Sequence, residues 1–151
     1  MMNPKDTHIL SVLKRDGRVT WSGLAEQVHL SPSACQRRVE ALIERGIIKG
    51  FAARLDEAAL GQQVKAFIAV SVDRQNTSAA ESFRNWVIHQ PQVQACYMLS
   101  GAIDFMLEVV ATDLAAFGAF IDRELLSLPA VKDASSSIVL NEVKSQDTYI
   151  P

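Results

Sequence analysis

The segment between Val19 and Gly46 predicts two short helices joined by a tight turn, and it constrains the fold more than any other part of the chain. Thr20 can cap the first helix, and Ser31 can cap the second, which has Pro32 at its first position. A hydroxyl oxygen satisfies a free backbone N–H at a helix start, and a proline there gives up an N–H that has no helical partner. Gly46 can end the second helix in a left-handed conformation.

A further helix and a strand are predicted on either side of this pair. Residues 4–15 carry apolar side chains at helical spacing, and Asp16 and Gly17 end the pattern. Residues 47–56 are predicted to form a strand, the wing that commonly follows such helices. Three short helices with a strongly capped last one form the helix-turn-helix layout, whose last helix enters the major groove of DNA. Periodicity alone leaves open a small helical bundle whose arginines are only solvated surface.

The last helix carries groups that recognise DNA on the side away from its apolar stripe. Arg37 and Arg38 form a basic pair without an evident partner and can bind guanine or phosphate, and Gln36 can read adenine. Serine hydroxyls and free N–H groups at the start of this helix suit a phosphate. The predicted DNA-binding residues, including two weaker flanking basic residues, are Ser31, Ser33, Gln36, Arg37, Arg38, Arg18 and Lys49.

The charge is distributed unevenly along the chain, although its formal net value is only −2. Up to Asp56 there are nine Lys and Arg residues against six Asp and Glu, whereas from Glu57 onward there are six against eleven. A basic front half beside an acidic back half indicates a polyanionic partner, double-stranded DNA, for the front half alone.

Composition excludes several other classes of protein. No apolar run approaches the roughly 20 residues of a membrane-spanning helix, and the amino terminus lacks the apolar stretch of a signal peptide, so a cytoplasmic location is expected. Cys35 and Cys96 match neither zinc-binding nor redox spacing, and the three histidines are scattered. We therefore expect no metal site and no cofactor.

The remainder of the chain predicts alternating strands and helices. The predicted strands are residues 64–73, 93–99, 103–111 and 131–143. One helix follows a capping box at residues 78–81, and another follows Asp113. The predicted apolar stripe of that second helix consists of Leu114, Phe117, Ile121, Leu125 and Leu128. The order βαββαβ is the ferredoxin-like arrangement, in which both helices cover one face of the sheet. Its other face is expected to bear apolar residues and to pair with a second copy.

The sequence resembles the leucine-responsive/asparagine-responsive (Lrp/AsnC, or feast/famine) family of transcriptional regulators. The similarity is carried by residues 9–51, by YMLSGAIDFMLEV at 97–109 and by LPAVKDASSSIVLNEVK at 128–144. It implies an α+β fold with a winged helix-turn-helix DNA-binding domain over 1–50, a linker strand and hinge over 51–62, and a ferredoxin-like effector-binding and oligomerisation domain over 63–151. It further implies a homo-oligomer, in which dimers pair through the linker strand, residues 47–55, and assemble into octamers or larger discs.

The resemblance also implies a small-molecule effector, usually a free amino acid, bound at contacts between dimers near the turn that follows the second strand. The corresponding residues are Ser100, Gly101, Ala102, Ile103 and Asp104. A glycine turn exposes backbone groups to the charged ends of an amino acid, and Asp104 could hold the ammonium group. The alternative is that Gly101 makes only a hairpin turn and Asp104 pairs locally. This chain has Ala102 where many members carry an acidic or amide residue, which leaves the identity of the amino acid open.

Two other functions are alternatives to an effector-responsive, sequence-specific regulator. A nucleoid-type architectural protein would use the same DNA contacts with little sequence preference. An enzyme could in principle use Asp104 and Glu108, which share one face of the third strand, but no His or Cys nucleophile and no phosphate loop accompany them. The chain is therefore not expected to be an enzyme.

Overall fold

The computed structural model describes residues 2–73, 75–76 and 78–144. The chain forms two compact units, one comprising the residues up to Arg54 and the other Leu55–Val143. Among the described residues, no helix is both long enough and apolar enough to cross a membrane.

The amino-terminal unit is built from three helices, α1 (Pro4–Arg15), α2 (Trp21–Val28) and α3 (Pro32–Glu44). The predicted caps are present: Thr20 accepts a hydrogen bond from the N–H of the residue three positions later, and Ser31 does the same at the start of α3. Each cap satisfies one of the N–H groups that a helix start leaves without a helical partner. The three predicted helices are therefore confirmed.

A small apolar core holds these helices together. Its buried residues are Ile9, Val12, Leu24, Ala25, Val28, Cys35, Val39 and Leu42. Ile43, predicted to belong to the apolar stripe of α3, is instead exposed. Each residue turns the helix by about 100°, so Ile43 lies at the edge of the face that Cys35, Val39 and Leu42 share.

The strand predicted over residues 47–56 is not present in the described part of this chain. The backbone N–H groups of Ile47 and Ile48 both donate to the carbonyl of Leu42, at 2.9 and 3.1 Å, which folds the chain back against the end of α3. A strand needs a neighbouring backbone for its hydrogen bonds, and no described residue of the amino-terminal unit supplies one to this segment. The prediction of a strand within the single chain was wrong.

The carboxy-terminal unit contains the predicted βαββαβ order. Its elements are β1 (Val64–Val72), α4 (Ala79–Val87), β2 (Val93–Met98), β3 (Phe105–Ala111), α5 (Leu114–Ala119) and β4 (Val131–Ile138). The four strands form an antiparallel sheet in the order β2-β3-β1-β4. This is the ferredoxin-like topology, and the α+β fold class is confirmed, with strands β3 and β4 shorter than predicted.

Aromatic side chains join the sheet to the helices. Phe83 of α4 is fully buried, with its ring centroid 4.8 Å from that of Phe105 on β3. Trp86 stacks on Phe120 at a centroid distance of 6.0 Å, which connects α4 to the second helical segment. Alternate residues of β1, from Val64 to Val72, are buried, as the period-two pattern predicts.

The second helical segment departs from the predicted apolar stripe. Leu114 is 62% exposed, whereas Phe120, which the stripe omits, is 2% exposed. Residues Phe120–Leu125 form a π-helix directly after α5. Phe117 and Leu125 of the predicted stripe are buried, and Phe120 shares their face because it lies three positions after Phe117.

The capping box predicted at residues 78–81 is also absent. Ser78 is the residue before α4, but its side chain makes no capping hydrogen bond. Its Oγ donates instead to Oδ1 of Asn76, at 2.8 Å, and its backbone N–H donates to the same oxygen. The nearby asparagine therefore uses the hydroxyl that the pattern assigned to the helix.

Candidate functional site

The exposed face of α3 presents polar side chains at its amino-terminal end. Ser33, Gln36 and Arg37 are exposed. Nε2 of Gln36 donates to Oε1 of Glu40 at 2.9 Å, which holds the amide along the helix surface. Arg37 has no ion-pair or hydrogen-bond partner for its guanidinium within the described residues, so its charge is available to an external anion.

The turn before α3 is tight. His29 ends α2 with a φ of 54°, a left-handed conformation that His adopts more readily than most residues that carry a Cβ. Oγ of Ser31 accepts from the N–H of Ala34 at 3.2 Å and lies 3.2 Å from Oγ of Ser33. The predicted anchor residue Ser31 therefore has a structural role as the cap of α3. Nothing in the sequence pattern indicated that His29 would adopt this left-handed conformation.

Replacing Ser31 by alanine is expected to lower the free energy of unfolding of the amino-terminal unit by about 1 kcal/mol, because the N–H of Ala34 loses its acceptor. Chemical denaturation monitored by circular dichroism measures the change. Replacing Ser33, which accepts no capping bond, is the matched control and should have a smaller effect. Equal effects of the two substitutions would contradict the capping role.

Arg38 was predicted to have no partner, but it forms an ion pair. Its Nη1 lies 2.7 Å from Oδ1 of Asp6 in the first turn of α1. Asp6 is 8% exposed, and the side chain of Arg38 is 30% exposed. The two residues are 32 positions apart, and tertiary packing alone brings them together. In the sequence, Asp6 is an acidic residue in the first turn of a helix, where the helix dipole favours a negative charge. Its position therefore gave no indication that it pairs with Arg38.

The two flanking basic candidates, Arg18 and Lys49, are exposed in the amino-terminal unit. The backbone N–H of Arg18 donates to Oδ1 of Asp16 at 2.9 Å, which fixes the loop after α1. The structure gives each a solvent-accessible charge but does not bring either to a hydrogen-bond partner on α3.

Each of the two cysteine thiols has its pKa shifted upward, away from that of a reactive thiolate. Burial raises the pKa of the Cys35 thiol, and the charge of Arg38 nearby offsets part of that rise. Burial likewise raises the pKa of Cys96. Both thiols stay protonated to higher pH than a free cysteine does. Among the described residues, no three His, Cys, Asp or Glu side chains lie close enough together to hold one metal ion.

In the other unit, residues 100–104 form a tight turn that is tied to the central strand. The N–H of Leu99 donates to the carbonyl of Asp104 at 2.9 Å, and Gly101 has a φ of 143°, which residues with a Cβ rarely adopt. The N–H of Asp104 donates to the carbonyl of Val70, and its Oδ2 accepts from the N–H of Val72 at 2.9 Å. The local pairing of Asp104, one of the two open alternatives, is therefore present.

An open cleft of about 800 Å³ lies beside this turn. Its lining residues are Ser71, Val72, Asp73, Gln75, Ala102, Asp104, Pro129, Val131, Lys132 and Asp133. Among the described lining residues, three carry carboxylates and one carries an ammonium group, so the cleft offers groups of both signs to a ligand. Of the predicted effector residues, Ala102 and Asp104 line the cleft, and Ser100 and Gly101 are exposed beside it.

The sheet face opposite the helices carries both apolar and charged side chains. The strand register places Phe67, Tyr97 and Met106 on this face, and the first two are exposed. Nζ of Lys65 lies 2.8 Å from Oε1 of Glu108, and a hydrogen bond to that carboxylate raises the pKa of Lys65. Glu108 is thus held in an ion pair on the sheet, apart from the carboxylate of Asp104 that binds the Val72 N–H.

These features together define a class of protein: a helix-turn-helix DNA-binding unit joined to a ferredoxin-like unit with an exposed cleft. Each of the two units matches a known protein family. Residues 2–49 match the family described as winged helix-turn-helix DNA-binding, and residues 65–149 match the Lrp/AsnC ligand binding domain. The chain belongs to the Lrp/AsnC family of transcriptional regulators.

Individual relatives cover almost the whole chain. The Bkd operon transcriptional regulator of Pseudomonas aeruginosa is 38% identical over 91% of this chain and 90% of its own length. The leucine-responsive regulatory protein of Escherichia coli is 31% identical over 96% and 88%. A crystal structure of a Neisseria meningitidis transcriptional regulator in complex with L-Met superposes with a TM-score of 0.94, at 39% identity, over 100% of this chain and 97% of that one. The protein is an effector-responsive, DNA-binding transcriptional regulator.

Proposed function

We propose that the cleft beside residues 100–104 binds a free amino acid and that its occupancy changes DNA binding by α3. The observation that carries this proposal is the position of Asp104, whose carboxylate borders an open cleft while a backbone N–H holds it in place. A carboxylate can accept several hydrogen bonds, so its bond to Val72 is compatible with a further bond to a ligand ammonium group.

The other groups of the cleft complement the rest of an amino acid. Lys132 and the exposed backbone of the glycine turn suit a carboxylate, whereas the small apolar Ala102 leaves room for an uncharged side chain. The Neisseria meningitidis relative, at 39% identity, was solved with L-Met, which makes L-Met the first amino acid to test.

The DNA-binding surface is proposed on the exposed face of α3. Arg37 would bind a guanine edge or a phosphate and Gln36 a base edge, while the capped start of the helix, with Ser31 and Ser33, would lie against the backbone. Arg18 and Lys49 would add flanking phosphate contacts. In a dimer, two such helices reach successive major grooves about one helical turn apart.

A second copy of the chain is the proposed occupant of the open sheet face. Pairing would remove the exposed apolar surface of the Phe67 and Tyr97 rings from water, which favours association. The segment over 51–62, which forms no strand in the single chain, would act as linker and hinge between the DNA-binding and effector-binding domains. Such dimers would assemble further, up to an octamer, with the amino-acid site at their contacts. The protein would act in the cytoplasm, where its DNA lies.

Calorimetric titration of the full chain with the twenty amino acids, with oligomer size followed alongside, tests the effector site. Replacing Asp104 by asparagine keeps an oxygen for the Val72 N–H but removes the charge, so ligand binding should weaken by about 1.5–3 kcal/mol. Replacing the exposed Asp122, which does not line the cleft, removes the same charge and should leave binding unchanged. Unweakened binding in the Asp104 variant, or binding of no amino acid at all, would refute the proposed site.

A further inference from the structure

The ion pair between Asp6 and Arg38 divides the two neighbouring arginines of α3 into different roles. Asp6 is 8% exposed and lies in the core-facing first turn of α1, with its Oδ1 2.7 Å from Nη1 of Arg38. Arg37, one position earlier on the same helix, is exposed and points its charge to solvent. The adjacent positions differ by about 100° around the helix, which is enough to turn one arginine toward α1 and leave the other free.

Moving Arg38 to a DNA phosphate would be unfavourable. The guanidinium would exchange one anion for another and would leave the carboxylate of Asp6 buried without its partner. A buried charge stripped of its partner is strongly destabilising, whereas an exposed arginine loses little when it binds a phosphate. The net charge of the intact pair is zero, so it displaces no counterion from DNA.

We propose that Asp6 is a positioning residue that withholds Arg38 from DNA and fixes the orientation of α3 on α1, so that Arg37 is the arginine of the pair that binds DNA. The pair joins the helix that contacts DNA to the helix that supports it, through a charge-assisted hydrogen bond of 2.7 Å. This inference rests on the proposal that α3 contacts DNA.

The salt dependence of DNA binding separates the two arginines. The decisive variant combines Asp6→Asn with Arg38→Gln, because two amides can replace the ion pair by a neutral hydrogen bond without leaving a buried charge. With a random-sequence duplex, its slope of log K against log salt should equal that of the wild type. Arg37→Gln, the matched single-charge variant, should reduce the slope by about 0.9, the value of one lost phosphate contact.

Asp6→Asn alone supplies a second test, because it leaves Arg38 charged but releases it from its carboxylate. Its slope should become steeper by about 0.9 as the freed guanidinium gains a phosphate. The inference is overturned if the double variant loses as much slope as Arg37→Gln, or if a folded Asp6→Asn protein shows no steeper slope. Should Asp6→Asn not fold, the double variant decides alone. An unchanged slope in Arg37→Gln would instead refute the proposed role of α3.

Discussion

Replacing Phe83 by alanine is expected to lower the free energy of unfolding of the carboxy-terminal unit by about 3–5 kcal/mol, because it removes buried apolar atoms and leaves a cavity where the sheet meets the helices. The ring of Phe83 is fully buried, and its centroid lies 4.8 Å from that of Phe105 and 6.0 Å from that of Trp86. The measurement is chemical denaturation followed by the fluorescence of Trp86 in a Trp21→Phe background, since these are the two tryptophans of the chain.

Ile88→Ala is the matched control for this substitution. Ile88 directly follows α4 but is 74% exposed, so its removal creates no cavity and should change the free energy of unfolding by about 0.5 kcal/mol or less. If the two variants unfold at the same denaturant concentration, Phe83 is not the centre of this core.

Replacing Arg37 by glutamine is expected to weaken binding to a specific DNA site by about 1–3 kcal/mol, or roughly 5- to 150-fold. The guanidinium is exposed at the amino-terminal half of α3 and has no described partner, so its loss removes a DNA contact and leaves the fold intact. Fluorescence anisotropy at fixed ionic strength, with a duplex selected by the protein from a random-sequence pool, measures the loss.

Arg123→Gln controls for the change in total charge. Arg123 is exposed in the π-helical segment of the other unit, and removing it alters the net charge by the same amount. The affinity of the Arg123→Gln variant for the selected duplex should stay close to that of the wild type. Equal losses in the two variants would show that net charge, and not the face of α3, governs binding.

Local chemistry is enough to predict most of the helices and strands. Thr20 and Ser31 act as caps of α2 and α3, and the alternation along β1 places the sheet core correctly. Each of these signals depends on residues within a few positions of one another, so the sequence displays them directly. The order of the elements then leads to the ferredoxin-like topology, and the family resemblance, which the comparisons confirm, links it to the DNA-binding unit.

Contacts between distant residues could not be predicted in the same way. Asp6 and Arg38 are 32 positions apart, as are Val72 and Asp104, and each pair meets only after the unit has folded. In the second helical segment Phe120 is buried and Leu114 is exposed, because the packing of the whole unit decides which residues at the ends of a helix reach the core. The segment predicted to form a strand after α3 does not form one, because no described residue offers it a partner backbone.

The central claim is that an amino acid bound beside Asp104 alters DNA binding by α3. The most direct test is the affinity of the full chain for its selected duplex, measured at fixed ionic strength as the amino acid identified by calorimetry is raised to saturation. The wild type should change its affinity by about 5- to 150-fold, the usual range of such coupling, while Asp104→Asn at the same concentrations should not respond. An unchanged affinity in the wild type, or an equal response in both proteins, would contradict the account.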